Sequence, residues 1–419
     1  MLSLQSKFAK YLCIFLILIL ILFYAYQIAK APGFYSDIEY WVYWSWFGNE
    51  HGLTNIYRSE TNYLPLYHYI LTGFGSFFEG REHIAQHIYL LKYVSFAFDL
   101  LGVYYLYKIL APRYSLWLII AVSMLNIPFF YNSIMWGQVD GILSTLCFAS
   151  FYHLYRKQFV GASIFMALAL LFKLQAIVLL PLWGLYLLVQ LPQTNAKRYF
   201  KTALIAFFVT LFLVALPFIY THERQMLLKK AVTGLVGYYP NITVGAANFW
   251  SIFFEKDADN IKDTTKAILG INYKQLGLTL FLATSMLVFW PILVQLKKRW
   301  LDKANNDFPI EKLLLIAALC GLNFYLFNAQ IHERYSHPVF LFLMAYSFLK
   351  KDFVLLIIFS LAYFLNLDSL LQWAKFENYN GFIFRRSVSG SLYLIVWAWL
   401  LFRLYQGLFS RRKLNPESL

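Results

Sequence analysis

The sequence predicts an all-α, polytopic integral membrane protein, and three observations carry that expectation. Of 419 residues, 60% are hydrophobic and only 14% are charged, too little polar surface for a soluble chain of this length. The apolar residues fall in repeated runs of about 20, the length that crosses a bilayer core of about 30 Å. The Lys and Arg clusters lie between those runs. The formal charge of +15 therefore reads as a positive-inside pattern, not as a surface for nucleic acid.

Taken in order, the runs give about twelve candidate spans: 11–29, 88–108, 115–133, 141–155, 158–171, 175–191, 200–220, 275–296, 312–328, 337–349, 353–372 and 389–409. The first ends at Ala29-Lys30-Ala31, which looks like a cleavage site, but the run is too long for a signal peptide and is expected to stay. Two runs, 158–171 and 337–349, are short enough to suggest tilted or re-entrant helices. With an even number of spans, the basic clusters from Lys7 and Lys10 through Lys297, Lys298 and Arg299 to Arg411 and Arg412 all face the cytoplasm, with both termini. Residues 30–87 and 221–274 are then external loops, folded onto one integral domain that takes in residues 1–419. Cys13, Cys147 and Cys320 all fall inside apolar runs, which argues against a disulfide framework or a metal cluster. No cofactor is indicated, and a divalent metal is left open.

The unusual polar residues gather on the external side. Ser36-Asp37-Ile38-Glu39 fits a capping box, with Ser36 as N-cap and Glu39 reaching back to its amide. The aromatics that follow, Tyr40 to Phe47, suit an interfacial helix. The cap gives Glu39 a structural task and leaves Asp37 as the candidate for chemistry, the alternative being a simple helix-dipole contact. Tyr63, in "TNYLPLYHYI", reads as a sugar or acceptor contact or as part of an aromatic belt. Gln138 and Asp140 end one span and begin the next in "NSIMWGQVDGI", where a carboxylate is costly unless it is paired or faces water. Lys173 and Gln175 lie between two apolar runs and suit an anion or a hydroxyl; a snorkelling lysine is the alternative. Asn248 and Trp250 close "YYPNITVGAANFW", a turn with small residues suited to a sugar, and Asn241-Ile-Thr243 there is formally a glycosylation acceptor. His332 and Arg334, in "NAQIHERYSHP", offer two cations for a phosphate diester, with a structural Glu333–Arg334 pair as the alternative.

Six stretches occur in order over nearly the whole chain: "GFYSDIEYW", "NYLPLY", "MWGQVDG", "FKLQAIVLLP", "VGAANFW" and "HERYSHP". Together they resemble the multi-pass GT-C glycosyltransferases, in particular the second mannosyltransferase of glycosylphosphatidylinositol-anchor synthesis and its bacterial relatives. In that family an acidic residue of the first external loop is taken as catalytic, and Asp37 is the match. The family's tyrosine–proline–proline stands here as Tyr63-Leu64-Pro65, which puts the acceptor pocket in doubt.

The resemblance implies a polyprenyl-phosphate sugar, expected to be mannose, as donor, and a lipid or glycan hydroxyl as acceptor. It implies an inverting single displacement with Asp37 as general base, and His332, Arg334 and Lys173 on the phosphate. Compactness points to a bacterial inner membrane as the setting, with the endoplasmic reticulum membrane as the setting in a eukaryote. The alternative function is a transporter or flippase of lipid-linked sugars, which should show inverted repeats and charges at mid-membrane; neither is legible.

Overall fold

In the computed structural model, residues 2–59, 61–111, 113–192, 194–220, 224–229, 237–303 and 307–412 are described; parts of the expected external loop 221–274 and of the basic segment 297–311 lie outside them. The chain is helical nearly throughout, with two small two-stranded pairings. Seven helices are long and apolar enough to span a bilayer: Lys7–Lys30, Gly80–Leu110, Ala196–Ile219, Tyr273–Trp300, Ile310–Phe327, Phe353–Leu371 and Arg386–Gln406. The pair Leu116–Leu125 and Ile127–Trp136, bent by 70°, makes an eighth if counted as one span.

All twelve expected segments fall on helices, but the number that can span by length and composition is seven or eight among the described residues. Asp140–Tyr155 has 16 residues, Phe159–Phe172 has 14, Val339–Lys350 has 12 and Leu180–Gln190 has 11. At 1.5 Å per residue these reach only about 16–24 Å, short of a core of about 30 Å. Asp140–Tyr155 and Val339–Lys350 are enclosed by other helices on nearly every side. A helix covered all round by protein is as uniformly apolar as one covered by lipid, so the sequence pattern could not separate them.

The chain divides into two compact units, Met1–Leu180 with Leu191–Tyr239, and Pro181–Gln190 with Pro240–Leu419. In the first unit, helix Tyr35–His51 turns Trp41, Val42, Trp44, Ser45 and Gly48 inward, the 3–4 residue spacing of one helical face. It packs on helix Pro65–Gly75, with the Trp41 ring edge-on to Tyr63 and Tyr67 at 5.1 and 4.9 Å. Gly75 permits that approach, since a β-carbon there would lie 2.3 Å from the Ser45 carbonyl oxygen.

The bend after Leu125 has a local cause. The Asn126 side chain accepts the Phe129 amide at 3.3 Å, and Pro128 stands in the first turn of the new helix, so the old helix ends and another starts. That second piece widens into a π-helical turn over Asn132–Trp136 and stops at Gly137, whose φ of +82° is left-handed.

In the second unit, strand Thr243–Val244 pairs in parallel with Ile331–His332, and Lys266–Ile268 pairs antiparallel with Ile271–Asn272. Asp259 organises the loop: its carboxylate accepts Thr243 Oγ1 at 2.6 Å, the Gly245 amide at 2.9 Å and Arg386 Nη1 at 2.6 Å. Asn241 Nδ2 donates to the Asp259 carbonyl at 2.5 Å. Both polar side chains of the Asn-Ile-Thr acceptor sequence are thus folded into this loop.

Candidate active site

Asp37 lies in the first turn of helix Tyr35–His51, where the exposed amide dipoles favour a carboxylate. The helix does not start as the capping box predicts. Phe34 is the N-cap: its amide donates to the Trp136 carbonyl at 2.8 Å, and its own carbonyl accepts the Ile38 amide at 3.1 Å. This tether to a distant segment starts the helix at Tyr35, so Ser36 and Glu39 fall inside it, with no side-chain cap. Glu39 instead meets Arg81 on the surface, Oε2 to Nη2 at 3.3 Å.

The same distant segment holds Asp37 itself. Trp136 Nε1 donates to Asp37 Oδ2 at 2.8 Å, the Trp136 ring stacks on Phe34 at 4.5 Å, and Trp41 Nε1 donates to the Gly137 carbonyl at 3.1 Å. Gly33 and Gly137, both left-handed at φ +79° and +82°, let the two segments meet: a β-carbon on either would lie 2.8 Å from Ile38 Cδ1. Lys92 secures the approach to Gly33 by donating to the Ala31 carbonyl at 2.5 Å. Tyr67 belongs to this surround too: burial, and then the negative charge of Asp37, push its hydroxyl well above the ordinary value.

The neighbouring candidates form a connected set. Tyr63 Oη donates to Gln138 Oε1 at 3.3 Å, and the Gln138 amide donates to the Asn132 carbonyl at 2.9 Å. Buried Asp140 accepts Asn132 Nδ2 at 3.3 Å and forms an ion pair with Lys173. Lys173 sits in extended backbone between helix Phe159–Phe172 and the 3-10 turn Leu174–Val178, which carries Gln175. The lysine is drawn to a buried carboxylate, as opposite charges in a poorly solvated place must be.

In the second unit, His332 ends its strand and Arg334 follows two residues later, around buried Glu333. Arg334 Nη1 bonds to Glu333 Oε1, and His332 Nδ1 lies 3.7 Å from Glu333 Oε2. Burial pushes the Glu333 carboxyl up, but the Arg334 charge and the His332 contact more than offset this, and the group is lowered to about 2. The Glu333 carbonyl accepts Asn366 Nδ2 at 2.9 Å, fixing the backbone between the two cations.

Asn248 and Trp250, expected to contact sugar, are engaged in folding. The Asn248 side-chain oxygen caps helix Phe249–Phe254 by accepting the Trp250 and Ser251 amides at 3.1 and 3.4 Å. Trp250 is 3% exposed and its Nε1 donates to the carbonyls of Phe327 and Asn328 at 3.1 and 3.2 Å. A buried indole N–H needs such a partner, and this one has found it inside the core.

Residues 84–260 match the model of glycosyltransferase family 87. GPI mannosyltransferase 1 of Dictyostelium discoideum is 31% identical over 168 residues, which cover 38% of this chain and 36% of that protein. The chain therefore spans little more than a third of the length of this curated relative. That relative is named as mannosyltransferase 1, whereas the motifs resemble the second enzyme. The family match takes in Trp136, Gln138, Asp140, Lys173 and Gln175, while Asp37, Tyr63, His332 and Arg334 lie outside it. Sequence reasoning missed Trp136, Tyr67 and Lys92 as members of the Asp37 surround. The signal for Trp136 was its place beside Gly137, a glycine that can reverse the chain and aim what precedes it.

Proposed function

We propose that this chain is a membrane glycosyltransferase that transfers mannose from a polyprenyl-phosphate donor to a hydroxyl of a lipid or glycan acceptor outside the cytoplasm. The family 87 match and the mannosyltransferase relative support the reaction class. The observation that carries the mechanism is the half-buried Asp37 carboxylate, held by the Trp136 indole at the start of a helix. A carboxylate fixed in this way can take the proton of an acceptor hydroxyl as its oxygen attacks the anomeric carbon. The bond from that carbon to the phosphate oxygen breaks with its electron pair, polyprenyl phosphate departs, and configuration inverts. A phosphate is a good leaving group and needs positive charge more than a general acid, so one carboxylate suffices.

His332 and Arg334 are the cations proposed for the phosphate. Lys173 is proposed with them; it pairs with Asp140 as Arg334 and His332 meet Glu333. Tyr63, Gln138, Asp140 and Gln175 are proposed for the sugar or acceptor; the first three are strung together by hydrogen bonds, Tyr63 to Gln138 and both Gln138 and Asp140 to Asn132.

The test compares two carboxylates in one helix. Asp37→Asn keeps shape and hydrogen bonding but cannot accept the proton, and should lower mannose transfer by about 10²- to 10⁴-fold. Glu39→Gln loses only a surface ion pair, a small contribution, and should retain transfer. Both proteins are purified, shown to melt alike, and assayed with polyprenyl-phosphate mannose. An Asp37→Asn enzyme at full rate beside an inactive Glu39→Gln enzyme would overturn the assignment.

A further inference from the structure

We infer that Trp136 is a positioning residue for the reaction, acting on Asp37 through its indole N–H. This rests on the proposed role of Asp37 as base. Three features converge on that one bond. The first is the π-helical turn Asn132–Trp136, a rare geometry that is frequent at functional sites. The second is the left-handed Gly137 that ends the turn, with left-handed Gly33 opposite it. The third is the pair of exchanges on either side, Phe34 amide to Trp136 carbonyl and Trp41 indole to Gly137 carbonyl, which fix where residues 34–41 lie against the turn.

A fold that needed only a buried aromatic here would not require the indole nitrogen to meet a carboxylate. Trp250 shows the ordinary solution, an indole donating to backbone carbonyls in a core. At Trp136 the acceptor is instead a charged oxygen 99 residues away in sequence, at 2.8 Å. Such a charge-assisted bond is directional. It holds Oδ2 of Asp37, and so bears on where the proton-accepting carboxylate sits relative to an incoming hydroxyl, a matter of fractions of an ångström for a base.

A structural role for the ring and a positioning role for the N–H make different predictions. Trp136→Phe removes both the N–H and part of the ring. Replacement of Trp136 by benzothienylalanine keeps the size and the stack on Phe34 and removes only the N–H. With the isostere, we expect unchanged melting, a KM for polyprenyl-phosphate mannose within about twofold, and a kcat lowered by about 10- to 100-fold, the range of a hydrogen bond to a charged group. Introduced into Asp37→Asn, the same replacement should leave the residual rate nearly unaltered, because the base it positions is already gone. A kcat equal to that of the tryptophan enzyme sinks the inference. So does a loss as large in the Asp37→Asn background, or one expressed in KM alone.

Discussion

His68 carries the clearest pH consequence of any single side chain outside the membrane spans. It is fully buried, its Nε2 lies 3.2 Å from both Thr61 Oγ1 and the Tyr63 carbonyl, and burial, opposed by that carbonyl, lowers it from 6.5 to about 3. The folded protein holds this ring neutral while the unfolded chain protonates below pH 6.5. Its contribution is therefore full above pH 6.5 and is lost as pH falls from there towards 3, at about 1.4 kcal/mol per pH unit. Thermal melts of purified protein at pH 7 and pH 5 should show the natural chain losing about 2 kcal/mol more than His68→Gln, a residue without that titration. Parallel losses in the two proteins would rule this out. Single residues were unevenly legible in the sequence. Asp37 and the His332–Arg334 pair stood out as charges beside apolar runs. Ser36 and Glu39 were misread because a capping box is a local pattern, whereas the real N-cap is set by a carbonyl from residue 136. Asn248 and Trp250 have the chemistry of a sugar site, and only the carbonyls of residues 327 and 328 reveal that the indole is satisfied within the core.

Between elements, the contact of helices Tyr35–His51 and Pro65–Gly75 determines where the first turn with Asp37 lies, and two glycines of the second helix test it. A β-carbon at Gly75 would stand 2.3 Å from a backbone oxygen, which cannot rotate away, whereas at Gly73 nothing lies within 4 Å. Gly75→Ala should therefore destabilise by about 1–3 kcal/mol through overpacking and lower sugar transfer by moving the helix that carries Asp37. Gly73→Ala should stabilise by about 0.5–1 kcal/mol, because glycine is the poorer helix former. The two substitutions lie in one turn on nearly opposite faces and are read by melting temperature and transfer rate; an equal response would contradict the packing described. Elements were largely legible, since each expected span has a helix. What the pattern concealed was interruption: segment 115–133 reads as one apolar run, yet Asn126 and Pro128 break it by 70°.

For the whole molecule, composition was decisive for the membrane class and insufficient for the number of spans, because helices enclosed by protein and helices facing lipid have the same composition. The proposed sidedness is open to a direct measurement. Glu79, exposed ahead of helix Gly80–His87, and Asp302, exposed after helix Tyr273–Trp300, suit single cysteine probes in a chain whose three native cysteines are replaced. The positive-inside pattern leads us to expect an impermeant maleimide applied to intact cells to label the cysteine of Glu79→Cys and to spare that of Asp302→Cys until the membrane is opened. Labelling in the opposite order would invert the molecule and remove the argument for a lipid-phosphate donor.

The facing glycines at 33 and 137 also constrain how this sequence can drift. At each, a side chain meets first the left-handed backbone and second the tip of Ile38, and at 33 the Trp136 carbonyl oxygen stands 3.0 Å away as well. Shortening Ile38 answers the second and leaves the first, so no single neighbouring change opens either position to substitution. Under selection for activity, positions 33 and 137 are therefore constrained together with position 38, and a side chain at either needs at least a second change.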